Sequence, residues 1–158
     1  MRKGWMIRFT ASQWARGLTS ILDLIALSAL FLTGEVPSWI FGAAGTLWIL
    51  SRFIRKEASI PALVALFLVT FAATLYFWFG LRLHPIVAVA YAAPAAHSLL
   101  WFAPRTATYR GWRIGLGFIE LILSSVLTAD IYVPVAISIF IVLTSVALSC
   151  DFMDRELA

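Results

Sequence analysis

The sequence predicts an all-α membrane protein, a bundle of six transmembrane helices with both termini in the cytoplasm. Three observations support this prediction. Of the 158 residues, 62% are hydrophobic and only 13% are charged, whereas soluble domains carry roughly 25% charged residues. Apolar runs close to the roughly 17–25 residues of a membrane helix recur along the whole chain. The basic residues, finally, concentrate in alternate connections between these runs.

The chain forms one predicted membrane domain, 1–158, which begins with an amphipathic segment at 1–16. This segment, MRKGWMIRFTASQWAR, mixes arginine with tryptophan and phenylalanine, a composition typical of a helix lying along the inner headgroup region. A cleaved signal peptide fits less well, because no small-residue cleavage motif follows the first apolar run. The predicted transmembrane helices follow at about 17–33, 36–51, 59–80, 84–102, 114–129 and 131–150. The second and fifth of them are short for a bilayer.

Prolines support these boundaries. Pro37, Pro61, Pro85 and Pro134 each lie just inside a predicted helix start, where a missing N–H group costs least. Pro94 instead falls in the middle of the fourth predicted helix, and we expect a kink there.

The distribution of charge sets the predicted orientation. If the connections alternate across the membrane, only Arg82 of the twelve basic residues falls on the side opposite the others. The positive-inside rule then assigns the basic side, and with it both termini, to the cytoplasm. The seven tryptophans, including Trp101, fall near predicted helix ends, as in an aromatic belt.

Residues 102–113, FAPRTATYRGWR, carry three arginines in a chain that is otherwise poor in charge. Arg105, Arg110 and Arg113 are predicted to lie in a cytoplasmic loop, where each contributes about 1 kcal/mol by meeting anionic lipid headgroups. The preceding cytoplasmic connection carries Arg52, Arg55 and Lys56 in the same role, and both loops are also possible docking points for a partner protein. A nucleic-acid role is not expected, because no basic face exists outside the segments that flank the membrane.

Three ionisable residues fall within predicted membrane helices: Asp23, His97 and Glu120. Counted from Arg16, Arg105 and Arg113 at about 1.5 Å per residue, all three lie about 10–12 Å below the inner surface. One hypothesis is a shared polar cluster, either a proton or ion site or a tetrapyrrole ligand at His97. The favoured hypothesis is structural: Asp23 pairs with Arg16 on its own helix, and Glu120 pairs with Arg113 on its own helix.

The remaining motifs are weak. Gly111 and Gly115 form a small-xxx-small spacing that is typical of helix packing. Cys150 is the single cysteine and is interpreted as a small apolar filler. No zinc motif, phosphate-binding loop or dinucleotide fingerprint is present in the sequence, so neither a metal nor an enzymatic activity is expected.

The C-terminal part of the sequence, 99–157, resembles the N-terminal membrane domain of bacterial transglutaminase-like membrane proteins of the TgpA type. The matching residues are Pro104, Arg105, Thr106 and Arg110 in the basic loop and Leu127, Thr128 and Asp130 at the next turn. The chain departs from that family in lacking acidic residues around the loop arginines. It also ends at Ala158, without the family's extracytoplasmic transglutaminase-like domain. The resemblance therefore implies an anchoring or scaffolding membrane domain and assigns catalysis to no residue here.

The expected function is a non-catalytic scaffold or accessory subunit of a larger complex in the bacterial inner membrane. Its expected partners are the lipid bilayer and other membrane subunits. The alternative is a small transporter or channel, or a haem- or pigment-binding subunit, that uses Asp23, His97 and Glu120. A membrane-embedded enzyme acting on lipid is the third possibility, although no clustered acidic or histidine motif supports it.

Overall fold

The computed structural model describes residues 2–53, 58–104 and 106–156, and within these residues the chain is helical without any strand. The predicted all-α class is therefore confirmed. The helices, in chain order, are α1 (Arg2–Leu32), α2 (Ser38–Phe53), α3 (Ile60–Leu75), α4 (Pro85–Leu100), α5 (Ala107–Leu127) and α6 (Tyr132–Glu156). One π-helical turn, Tyr76–Gly80, continues α3.

Two helix boundaries differ from the prediction in ways that matter for the site. α1 is one continuous helix from Arg2, so no break separates a segment at 1–16 from the membrane helix. The orientation of that segment along the headgroups stays a prediction. α5 begins at Ala107 rather than near 114. Its arginines suggested a loop, but Arg110 and Arg113 form ion pairs with other helices and are part of the first turns of α5.

Among the residues that the structure describes, three helical stretches are long and apolar enough to cross a membrane: Gln13–Leu32, Ile60–Gly80 and Tyr132–Met153. The stretch that contains α3 is the extreme case, because only 6% of its most apolar 18 residues is buried within the protein. Large side chains such as Leu68, Val69 and Phe71 are exposed along it. Water would not tolerate apolar surface on this scale, so these helices indicate a membrane protein.

The interior of the bundle is built on small residues. α1 packs against α5 and α6, and α4 packs against α2, α3 and α5. Ala26 and Ala29 of α1 and Ala90 of α4 are buried, and such residues let helix backbones approach closely. Ser124 of α5 uses this proximity, since its hydroxyl donates a 2.7 Å hydrogen bond to the backbone carbonyl of Ala29.

Among the glycines whose surroundings the structure describes, Gly117 packs between helices, and the prediction for Gly111 and Gly115 is wrong. A Cβ atom at Gly117 would lie 3.1 Å from two ring carbons of Phe140 in α6 and 3.4 Å from Cβ of Ala26. Nothing lies within 4 Å of a Cβ atom placed at Gly111 or Gly115. The small-xxx-small spacing is present, but the side of α5 that carries Gly111 and Gly115 faces away from the other helices.

Candidate functional site

Asp23, His97 and Glu120 meet in the interior of the bundle. They belong to α1, α4 and α5 respectively, and none of their side chains exposes more than 1% of its surface. This arrangement matches the hypothesis of a shared polar cluster and not the favoured hypothesis, in which each carboxylate pairs with an arginine of its own helix. The cluster joins helices that are far apart in the sequence.

The imidazole of His97 lies between the two carboxylates. Its Nδ1 atom is 3.0 Å from Oε2 of Glu120, and its Nε2 atom is 3.0 Å from Oδ1 of Asp23. A neutral imidazole can donate only one hydrogen bond, whereas an imidazolium donates from both nitrogens. The positively charged ring is thus the form that satisfies both ionised carboxylates at once.

The second oxygen of Asp23 receives two more donors. Nε1 of Trp101 donates to Oδ2 across 3.1 Å, and the guanidinium of Arg113 donates to the same atom. We refer to Asp23, His97, Trp101, Arg113 and Glu120 as the buried charge network. With two carboxylates, one imidazolium and one guanidinium, its net charge is zero, which reduces the cost of taking these groups out of water.

A second ion pair joins α5 to α6. Arg110 binds the carboxylate of Asp151 with two nitrogens: Nε donates to Oδ2 across 3.2 Å, and Nη2 donates to Oδ1. Both side chains are about one-tenth exposed. This two-point geometry is the strongest form of the arginine–carboxylate interaction because it fixes orientation as well as distance.

The predicted pairs within single helices are not formed. Arg16 is exposed, and Asp23 is bound by groups from α4 and α5 instead. Arg113 reaches across to Asp23 and leaves Glu120 to His97. Residues seven positions apart are separated by about 10 Å along a helix, so the neighbouring helix offered the closer partner.

The predicted headgroup arginines divide into two groups. Arg110 and Arg113 lie in α5, not in a loop, and their side chains are engaged inside the bundle. Arg55, Lys56 and Arg105, and the side chain of Arg52, lie outside the described residues. For that second group, the predicted contact with lipid or a partner stays a prediction.

His97 does not fit the alternative role of a tetrapyrrole ligand. An axial ligand presents one imidazole nitrogen, with a free lone pair, to the metal. Here both nitrogens are 3.0 Å from carboxylate oxygens, and the side chain has no exposed surface. No macrocycle could approach the ring without breaking the buried charge network.

Two buried polar atoms of the network itself lack a hydrogen-bond partner among the described residues: Oε1 of Glu120 and Nε of Arg113. Beside Arg113 lies a polar cavity of about 430 Å³. It opens between the middle of α1, the ends of α2 and α4 and the start of α5. Three of the arginines whose side chains the structure describes line it: Arg16, Arg110 and Arg113.

Two members of these clusters are not predicted by the sequence. Trp101 is predicted to be part of an aromatic belt, yet it is buried and donates to Asp23. A signal was present, because Trp101 follows His97 by four residues and so shares its helix face. Asp151 gave no comparable signal, since its partner Arg110 lies on another helix, 41 residues away.

Comparison of the chain with protein-family models, with curated proteins and with solved structures gave no match.

Proposed function

We propose that this protein is a non-catalytic integral membrane scaffold or accessory subunit of the bacterial inner membrane. In this proposal six helices cross the bilayer, both termini are cytoplasmic, and the bundle anchors or organises a larger membrane complex. One observation carries the proposal: the buried charged side chains bind each other, and these contacts join different helices.

These contacts fix how the helices are arranged. His97 connects α4 to α1 and to α5, and Arg110 connects α5 to α6. Buried ion pairs contribute little net stability, but removing one partner is costly, so they select one arrangement against others. A bundle with one fixed arrangement is suited to holding another subunit in place.

We extend the proposal by the resemblance that residues 99–157 bear to transglutaminase-like membrane proteins. In transglutaminase-like membrane proteins the corresponding helices form a membrane domain, and catalysis belongs to a separate extracytoplasmic domain. By this analogy, we propose that the bundle anchors a catalytic partner and does no chemistry itself. Stoichiometric partners should then remain with the protein during purification in a mild detergent, and isolation as a lone, active species would count against the proposal.

The proposed topology is tested by cysteine labelling. In a background in which Cys150 is replaced by serine, single cysteines are introduced as Glu35→Cys, Ala129→Cys and Thr106→Cys. All three positions are exposed. A membrane-impermeant maleimide should label the first two in intact spheroplasts and the third only after permeabilisation. Labelling of positions 35 and 106 from the same side would overturn the topology and the scaffold proposal that depends on it.

A proton or ion pathway is the second candidate function, and one observation favours it. Oε1 of Glu120 is buried without a partner among the described residues, and the network leads from there through His97 and Asp23 to Arg113 at the polar cavity. Such chains of ionisable groups are typical of proton relays.

Flux measurements distinguish the two functions. The protein is reconstituted in liposomes that contain a pH-sensitive dye, as wild type and as Glu120→Gln, with the exposed Glu35→Gln as the matched control. A scaffold is expected to give no proton flux in any of the three. A flux that Glu120→Gln abolishes while its unfolding temperature is unchanged would favour transport.

A further inference from the structure

The polar cavity has an excess of positive charge. Arg16 of α1 and Arg110 and Arg113 of α5 line it. Asp151 neutralises Arg110, and Asp23 neutralises Arg113. Arg16 forms no ion pair with any carboxylate that the structure describes, so one guanidinium charge remains available at the cavity wall.

Arg113 also presents an unused donor. Its Nε atom is buried and has no hydrogen-bond partner in the described part of the chain. A buried N–H group without an acceptor is costly, and the side chain that carries this one lines the cavity. Arginine is well suited to binding an anion, because its planar fork matches the geometry of a phosphate.

An apolar groove adjoins this cavity. It has a volume of about 340 Å³ and lies between α3, the end of α4 and α5, where Val64, Phe67 and Leu116 line it. Leu100 and Tyr109 line both the groove and the polar cavity. The two volumes are therefore neighbours, one basic and one hydrocarbon-like.

We infer that the cavity and groove together form a binding site for one anionic phospholipid. The phosphate lies in the polar cavity near Arg16 and Arg113, and an acyl chain follows the groove along α3 and α5. The adjoining basic and apolar volumes match the two parts of such a lipid. The inference rests on the proposed membrane location, which the labelling experiment tests separately.

Binding can be followed by tryptophan fluorescence, because Trp48 and Trp101 line the cavity and Trp112 lines the groove. The delipidated protein in detergent is titrated with dioctanoyl phosphatidylglycerol, with dioctanoyl phosphatidylcholine and with inorganic phosphate. We expect the anionic lipid to bind at least about tenfold more tightly than the zwitterionic one, because the choline ammonium of the latter offsets the phosphate charge and is repelled by the guanidinium of Arg16.

Two variants, each with a matched control, locate the site. Arg16→Gln should weaken phosphatidylglycerol binding about tenfold, whereas Arg82→Gln, which removes an exposed charge on a different connection, should not. Val64→Trp fills the groove and should weaken binding by a similar factor. Leu68→Trp, one turn further along α3 and also exposed, should leave binding unchanged. Unfolding temperatures of all four variants show whether each remains folded.

Three results would overturn the inference. Equal affinity for phosphatidylcholine would mean that the net negative charge of the headgroup is not recognised. Phosphate bound as tightly as the lipid would indicate a free-anion site, and equal effects of variants and controls would place the lipid elsewhere. None of these results alters the labelling pattern at positions 35, 106 and 129, so failure of the lipid site is distinguishable from failure of the topology.

Discussion

Replacing Asp23 by alanine is expected to lower the free energy of unfolding by about 3–5 kcal/mol, the cost of breaking a buried ion pair by removing one partner. The side chain accepts hydrogen bonds from three groups outside α1: the imidazole of His97, the indole of Trp101 and the guanidinium of Arg113. Without it, these donors lose their acceptor, and the charge of Arg113 is left unpaired. Unfolding in detergent, followed by loss of tryptophan fluorescence, measures the effect.

The matched control for Asp23 is Glu35→Ala, which removes an exposed carboxylate from the connection after α1. Its free energy of unfolding should stay within about 0.5 kcal/mol of wild type. Asp23→Asn keeps the shape of the side chain and one acceptor oxygen, so its free energy of unfolding should lie between those of Asp23→Ala and wild type. If Asp23→Ala were no less stable than Glu35→Ala, the buried charge network would not hold α1, α4 and α5 together.

Replacing Arg110 by leucine should destabilise the protein by about 3 kcal/mol, because Asp151 is left buried without its cation. The same loss is expected for Asp151→Leu. The double variant Arg110→Leu/Asp151→Leu should recover most of the stability, since an apolar pair of similar size is often as stable as a buried ion pair. Detergent unfolding of wild type, both single variants and the double variant gives the coupling energy directly.

Additive losses in that double-mutant cycle would contradict the structure. Two residues in direct contact are expected to couple, and independent sites are not. An additive result would mean that Arg110 and Asp151 each act through other groups and that the contact between α5 and α6 depends on apolar packing alone.

The helices could be predicted from the sequence because lipid imposes a simple rule on their length and polarity. Apolar runs interrupted by prolines and arginines gave the number and order of the helices, and Pro61 and Pro85 do lie at helix starts. α5 was predicted to start too late. Its first turns carry Arg110 and Arg113, and charge density alone does not distinguish an exposed loop from a helix whose charges are paired inside the bundle.

The common level of Asp23, His97 and Glu120 was also predictable, since the rise per residue is fixed. Their partners were not. Choosing between Arg16 and His97 as the partner of Asp23 requires knowing which helix faces which. That arrangement depends on the packing of small residues, such as Gly117 against Phe140, and a single sequence does not encode it in a periodic pattern.

The distance in sequence between Asp23 and its partners has a consequence for synthesis. His97, Trp101 and Arg113 follow Asp23 by 74, 78 and 90 residues. At about 5–20 residues per second, the ribosome adds Arg113 roughly 5–20 s after Asp23. During that interval the carboxylate of Asp23 lacks the cations that bind it in the bundle. The contacts through which α1 joins α4 and α5 at this carboxylate can therefore form only after more than two thirds of the 158 residues have been translated, although α1 is the first helix.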